Sequence, residues 1–204
     1  KISFTNEIGN LCKQHGIDVY PVMQAVGLDH RISPHFLNAG AGFGGSCFPK
    51  DVRALIATGN DAGQQMHLLR SVMQVNKEQP HRMLTLLKKH VGELNGMHIA
   101  VLGLSFKPNT DDIRESRSIP IIHALLEQGA TVTAYDPLAT ENMRRLFPHI
   151  EYCDSPEKAL ESTEGCLLMT EWPMFKDLDF SGMAQPIVVD GRRIIPEDRR
   201  DDII

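Results

Sequence analysis

Past residue 96 the chain alternates short apolar runs with helix-length amphipathic stretches, a pattern that few folds satisfy. His98-Ile-Ala-Val-Leu-Gly103 reads as a buried strand ending at glycine, and Thr131-Val-Thr-Ala-Tyr135 as a second strand ending at Asp136-Pro137. Cys166 to Thr170 and Ile187 to Asp190 are further strands. Between them, Ile119 to Leu126 is an amphipathic helix stopped by Gly129, and shorter helices are expected at Met143–Phe147, Glu157–Leu160 and Met174–Phe175. Strands separated by helices pair in parallel through right-handed crossovers. Residues 96–204 are therefore expected to form a doubly wound, parallel-sheet, Rossmann-like α/β domain.

Upstream the periodicity is helical. Helices are expected over 2–15, stopped by Gly16, over Val19–Val26, stopped by Gly27, and from Pro49 to Thr58, because proline suits the first helical position. A long pattern from Ala62 to Val91 carries Pro80, which is expected to kink or divide it. Residues 1–93 thus read as an all-α segment, with Leu94-Asn95-Gly96 as the junction.

Composition removes several classes. The chain has 204 residues, enough for one large or two small domains, with a net charge of -5 that offers no basic surplus for nucleic acid. No apolar run approaches the ~18 residues of a membrane helix, and the first residues lack a signal-peptide core. The absence of an initiator Met reads as a processed or truncated piece. Cys12, Cys47, Cys153 and Cys166 have no Cys-x-x-Cys spacing and the histidines no H-x-x-x-H spacing, so no metal site is expected. A reducing cytoplasm, without disulfides, is the default location.

Asn38-Ala-Gly-Ala-Gly-Phe-Gly-Gly-Ser-Cys47 is too glycine-rich for regular structure and reads as a loop. Glycine allows close backbone approach or a positive φ. If Pro49 opens a helix, Cys47 stands just ahead of it, where the positive end of the dipole favours an anion and hence a thiolate. Lys50 adds positive charge, and Asp51 falls in the first turn. A cysteine beside a helix is ordinarily a small buried residue. The loop and the flanking Phe43 and Phe48 favour a nucleophile instead.

Gly42-Phe-Gly-Gly-Ser-Cys-Phe-Pro-Lys-Asp51 resembles the signature of UDP-glucose 6-dehydrogenases and their relatives, the UDP-glucose/GDP-mannose dehydrogenase family. Gly27-Leu-Asp-His-Arg-Ile32, the run Leu102–Ser116, Thr170-Glu171-Trp172 and Asp190-Gly-Arg-Arg193 resemble further segments of it, in the same order. The resemblance implies that residues 1–93 are a central dimerisation segment and 96–204 a UDP-sugar-binding domain. It implies NAD as cofactor, UDP-glucose or a related nucleotide sugar as substrate, and a homodimer or higher homo-oligomer. It also implies a preceding NAD-binding domain, with a catalytic Lys and Asn, that these residues do not supply; the chain alone is then expected to be inactive.

Carried over residue by residue, the resemblance makes Cys47 the nucleophile and Asp51 a base or water-orienting group. Phe48, Pro49, Lys50 and Arg114 would flank NAD. Asn38, Ala39, Gly40, Ala41, Gly42, Phe43 and Gly44 would wrap the sugar nucleotide with backbone amides, with Phe36 packing beside them. Phe106, Lys107 and Arg192 would also hold substrate, with Arg193 the less favoured of its pair, and Arg31 would reach a diphosphate across a dimer interface. Asp136 reads as a strand-end turn residue, since the first strand lacks a G-x-G-x-x-G fingerprint. Two alternatives stay open: a GDP-mannose or other nucleotide-sugar dehydrogenase, and a non-catalytic nucleotide-sugar-binding or dimerisation module.

Overall fold

The computed structural model describes residues 1–199, so the last five residues of the 96–204 segment lie outside the described residues. Four helices come first: α1 (Ile2–Gln14), α2 (Val19–Gly27), α3 (Phe48–Asp61) and α4 (His67–Val91). Gly16 breaks α1 with φ +66°, and the Asp18 carboxylate caps α2 by accepting from the Tyr20 N–H at 2.9 Å. Pro49 sits in the first turn of α3, where a missing N–H costs no intrahelical bond.

Helix α4 differs from expectation in two ways. It starts at His67, after Met66 takes a left-handed turn (φ +48°), rather than at Ala62. It also runs through Pro80 as one element. Proline has no N–H, so the carbonyl of Asn76, four residues back, loses its helical donor. The guanidinium of Arg117 lies 3.5 Å from that carbonyl and takes up the vacancy.

The second segment holds β1 (His98–Leu102), α5 (Ser118–Glu127), β2 (Thr131–Tyr135), α6 (Thr140–Arg144), β3 (Glu151–Tyr152), α7 (Pro156–Leu160), β4 (Gly165–Leu168) and β5 (Val188–Asp190). The five strands are parallel in the order β3-β2-β1-β4-β5. The two-residue β3 has too short a pattern to be read from sequence. Side chains alternate across the sheet. Ile99 and Val101 pack with Ile121, Ile122 and Leu125 of α5 and with Met83, Leu84 and Leu87 of α4. Ala100 and Leu102 face Leu160, Trp172 and Phe175 on the other side. Both faces are covered, which is why the strands read as continuous apolar runs.

Strand order reverses between β1 and β4, so a crevice opens beyond their carboxyl ends. Gly103 leaves β1 with φ +91°, and a Cβ there would lie 2.5 Å from that of Thr170. Asp136 ties this corner together. Its buried carboxylate accepts from the backbone N–H groups of Leu104, Ser105, Leu138 and Ala139, and from the Trp172 indole at 3.0 Å. No described helix is long and apolar enough to cross a membrane.

Candidate active site

Residues 38–47 lie across the crevice, held by the chain's own polar groups. The Gly40 N–H donates to Asn6 Oδ1 (2.8 Å), the Ala41 N–H to the Gly191 carbonyl (3.1 Å) and the Gly45 N–H to the Arg114 carbonyl (2.9 Å). Asn76 clamps Phe43 from both sides: its Oδ1 accepts from the Phe43 N–H (2.8 Å) and its Nδ2 donates to the Phe43 carbonyl (2.9 Å). Of the loop amides expected to wrap a ligand, those of Gly40, Ala41 and Phe43 are therefore already spent. Among the described residues, the N–H groups of Gly42 and Gly44 have no protein acceptor.

The loop glycines are explained by this docking as much as by any ligand. A Cβ on Gly40 would meet the Gly191 carbonyl, one on Gly44 the Glu115 carbonyl, and one on Gly45, at φ +88°, the Phe106 ring at 2.7 Å. Glycine lets the loop lie flat on the ends of β1 and β5.

A cleft of about 500 Å³ opens over the loop. Its wall includes Phe36, Asn38, Ala39, Gly40, Gly42, Phe43, Gly44, Phe48, Phe106, Lys107 and Arg192, all expected on the substrate or cofactor side. Phe36 and Phe43 each meet Phe48 edge to face at 6.3 Å, forming an aromatic wall. Lys107 extends over the Phe106 ring (5.5 Å).

Cys47 directly precedes Phe48 of this wall but does not itself line the cleft. It is the residue immediately before α3, it is exposed, and its carbonyl receives the Asp51 N–H at 2.8 Å. The other thiols are placed differently. Burial pushes Cys153 up from the ordinary thiol value, with Glu151 and Asp154 adding to it. The fully buried Cys166 is pushed up much further, first by burial and then by Asp190.

Seven expected residues lie outside the cleft wall, Cys47 and Asp51 among them. Arg31 is on the turn after α2, chelated by Asp29 at 2.5 to 3.1 Å. Pro49 is buried, and Ala41 is enclosed in the core. Lys50 points to solvent and pairs with Asp51 at 3.1 Å. Arg114 is exposed and gripped by Asp112 (2.7 to 3.0 Å), which holds its guanidinium above the ordinary value; charge on Cys47 adds a smaller push.

The paired arginines after β5 divide their work. Arg192 is largely buried. It donates to the Met169 carbonyl (2.7 Å) and the Gly42 carbonyl (3.1 Å), and burial pulls it down from its usual value against the nearby Glu171. Arg193, the less favoured of the two, also lines the cleft. It makes two 2.7 Å bonds to Asp18 and stacks 3.8 Å over Tyr20. Sequence reasoning missed Asn6, Tyr20, Asn76 and Glu171 as parts of this site. The available signal was polar residues, Asn6 and Asn76, on the inward stripes of α1 and α4.

Comparison with known proteins places these features among relatives. Residues 1–78 match the model described as "UDP-glucose/GDP-mannose dehydrogenase family, central domain", and residues 100–197 that family's "UDP binding domain". The UDP-glucose 6-dehydrogenase AglM of Haloferax volcanii is 51% identical over 197 residues, covering 96% of this chain and 46% of that protein. A UDP-glucose dehydrogenase structure from Pyrobaculum islandicum superposes with a TM-score of 0.92 at 44% identity, covering 99% of this chain and 46% of that one. A UDP-D-ManNAc dehydrogenase from Pyrococcus horikoshii gives 0.82 at 28% identity, covering 96% and 45%. The chain thus spans about half the length of the relatives it matches.

Proposed function

Because the chain belongs to the UDP-glucose/GDP-mannose dehydrogenase family, we propose that it is the central and nucleotide-sugar-binding part of an NAD-dependent UDP-glucose 6-dehydrogenase. Residues 1–93 would carry the nucleophile and dimerise, and 96–204 would hold the UDP-sugar. The observation that supports this best is the exposed Cys47 directly before Phe48, which lines a cleft walled by the residues assigned to substrate.

The substrate's diphosphate is held by Lys107 and Arg193, with the Gly42 and Gly44 N–H groups turned to the sugar. Arg192 acts through the loop, fixing Gly42 by its carbonyl. The aromatic wall of Phe36, Phe43 and Phe48 keeps water from the reacting carbon. Once the C6 alcohol has become an aldehyde, the Cys47 thiolate attacks its carbonyl carbon to give a thiohemiacetal. Loss of a second hydride leaves a thioester, and water cleaves it to the carboxylate and the free thiol. Asp51, one turn along α3 from Cys47, takes the proton of that water. Bound NAD supplies the hydride acceptor for both oxidations. Phe48, Lys50 and Arg114 would hold its flat ring and phosphates, because they offer an aromatic face and two exposed cations. Most of its binding falls to residues outside this chain, so the chain alone does not turn over. Arg31, exposed and away from the cleft, serves the site of a second copy.

The test is Cys47→Ala in the full-length enzyme. UDP-glucose binding, read by calorimetry, is expected to persist and to exceed that of GDP-mannose. UDP-glucuronate formation is expected to fall by several orders of magnitude. Acid formation at the unmodified rate would overturn the nucleophile, and stronger binding of GDP-mannose would overturn the substrate.

A further inference from the structure

On the far side of Asn76 from the glycine loop, a second cleft of about 800 Å³ opens between α3, α4 and the first turn of α5. Its charge is lopsided. Arg53, Arg70, Lys77, Arg117 and His81 stand against one carboxylate, Glu115, in a chain of net charge -5. Glu115 is shared, accepting from Arg53 at 2.5 Å and from Arg117 at 3.3 Å. Arg70 is turned to Asn60 and to the Gln65 carbonyl, both neutral. Lys77 has no ion-pair partner among the described residues.

Gathering four permanent cations around one acid raises the local potential unless an anion enters. Arg117 registers that crowding. Its side chain is only 10% exposed, and burial pulls its guanidinium down, with Arg192 and Arg53 pressing the same way and Glu115 opposing. The positive end of the α5 dipole faces the same space. Ile56, Met73 and Ile119 add an apolar side. None of these residues is used by the dehydrogenase reading, and the cleft meets the substrate site along a shared wall of Asn76, Glu115 and Arg117, whose Cδ packs beside Gly42.

We propose that this cleft binds a small diphosphate-bearing anion, at the same time as and separately from the sugar nucleotide. The phosphates lie between Arg53, Lys77 and Arg117, and guanidinium pairs suit their oxygens.

Calorimetry with inorganic pyrophosphate and with ADP tests this on the chain with saturating UDP-glucose present. Pyrophosphate is expected to bind without displacing UDP-glucose, and Lys77→Glu to weaken it about tenfold, the loss of one charged hydrogen bond. ADP binding tighter than pyrophosphate assigns the apolar side to a nucleoside; equal affinities assign recognition to the free diphosphate. The proposal is overturned if Lys77→Glu and Arg53→Gln both bind pyrophosphate like the unmodified chain, or if UDP-glucose displaces it. Lys77-dependent pyrophosphate binding in a chain that ignores UDP-glucose would sink the substrate reading and leave this site standing.

Discussion

Asn76 occupies a place on α4 that periodicity alone would give to an apolar side chain. It is 1% exposed, and both ends of its amide are used on Phe43. Removing a partner from a buried polar group costs more than a hydrogen bond is worth, because the group left behind has been stripped of water. Asn76→Ala is therefore expected to destabilise the chain by about 1–3 kcal/mol and to weaken UDP-glucose binding. Asn76→Asp still accepts from the Phe43 N–H but sets a buried carboxylate against its carbonyl, so it is expected to be at least as destabilising as Asn76→Ala. Urea titration and calorimetry on the two variants check this, and an Asn76→Ala chain as stable as its parent would contradict it. The same residue marks a limit of sequence reading. Cys47, Lys107 and Arg192 could be singled out from sequence because they sit in a contiguous motif or at a strand end. Asn6 and Asn76 were not, because a helical Asn reads as solvated until its tertiary partner is known. Arg192 lines the cleft as expected, but its hold on the Gly42 carbonyl spans 150 residues of sequence and could not be foreseen.

At the scale of elements, strands and helix stops were legible where local chemistry decides them. Gly16, Gly103 and Gly129 end their elements at positive φ, a conformation that only glycine takes without strain. The extent of β3 and the start of α4 were not legible. Tertiary pairing fixes β3, and a left-handed Met66 fixes the start of α4. The glycine loop was read correctly as irregular, yet most of its glycines answer to backbone they dock against. Two substitutions separate the contributions. Gly63→Ala meets nothing within 4 Å at φ +74°, so it carries backbone strain alone, about 1–2 kcal/mol. Gly45→Ala carries the same strain at φ +88° and must also move the Phe106 ring. Gly45→Ala is expected to melt lower than Gly63→Ala and, unlike it, to lose affinity for UDP-glucose. Equal melting temperatures and unchanged binding in both would show that Phe106 gives way freely and that loop docking does not shape the cleft.

Across the whole molecule, the sequence suggested a helical segment and an α/β segment joined at residues 94–96. The stretches that match the two family models stop at 78 and resume at 100, leaving the second half of α4 between them. That half belongs to both neighbourhoods. Gln79 bonds Asn10 of α1 at 3.0 Å, while Met83, Leu84, Leu87 and Val91 complete the core on one face of the sheet. A helix shared in this way couples the two segments, since neither buries its apolar surface without it. Leu87, with no exposed surface, packs where a Cβ on Gly165 of β4 would lie 2.9 Å from its methyl carbon. Leu87→Ala opens a cavity at that joint, at a cost of about 2–5 kcal/mol. Trp172, the chain's one tryptophan, reports on the opposite face of the sheet, and far-UV circular dichroism reports mainly on the helices of residues 1–93. If the shared helix makes one cooperative unit, both signals shift to lower urea together in Leu87→Ala and stay superimposed. If instead the fluorescence transition stays in place while the dichroism moves, the two segments fold apart, and α4 is a linker rather than the common beam that holds the glycine loop against the sheet.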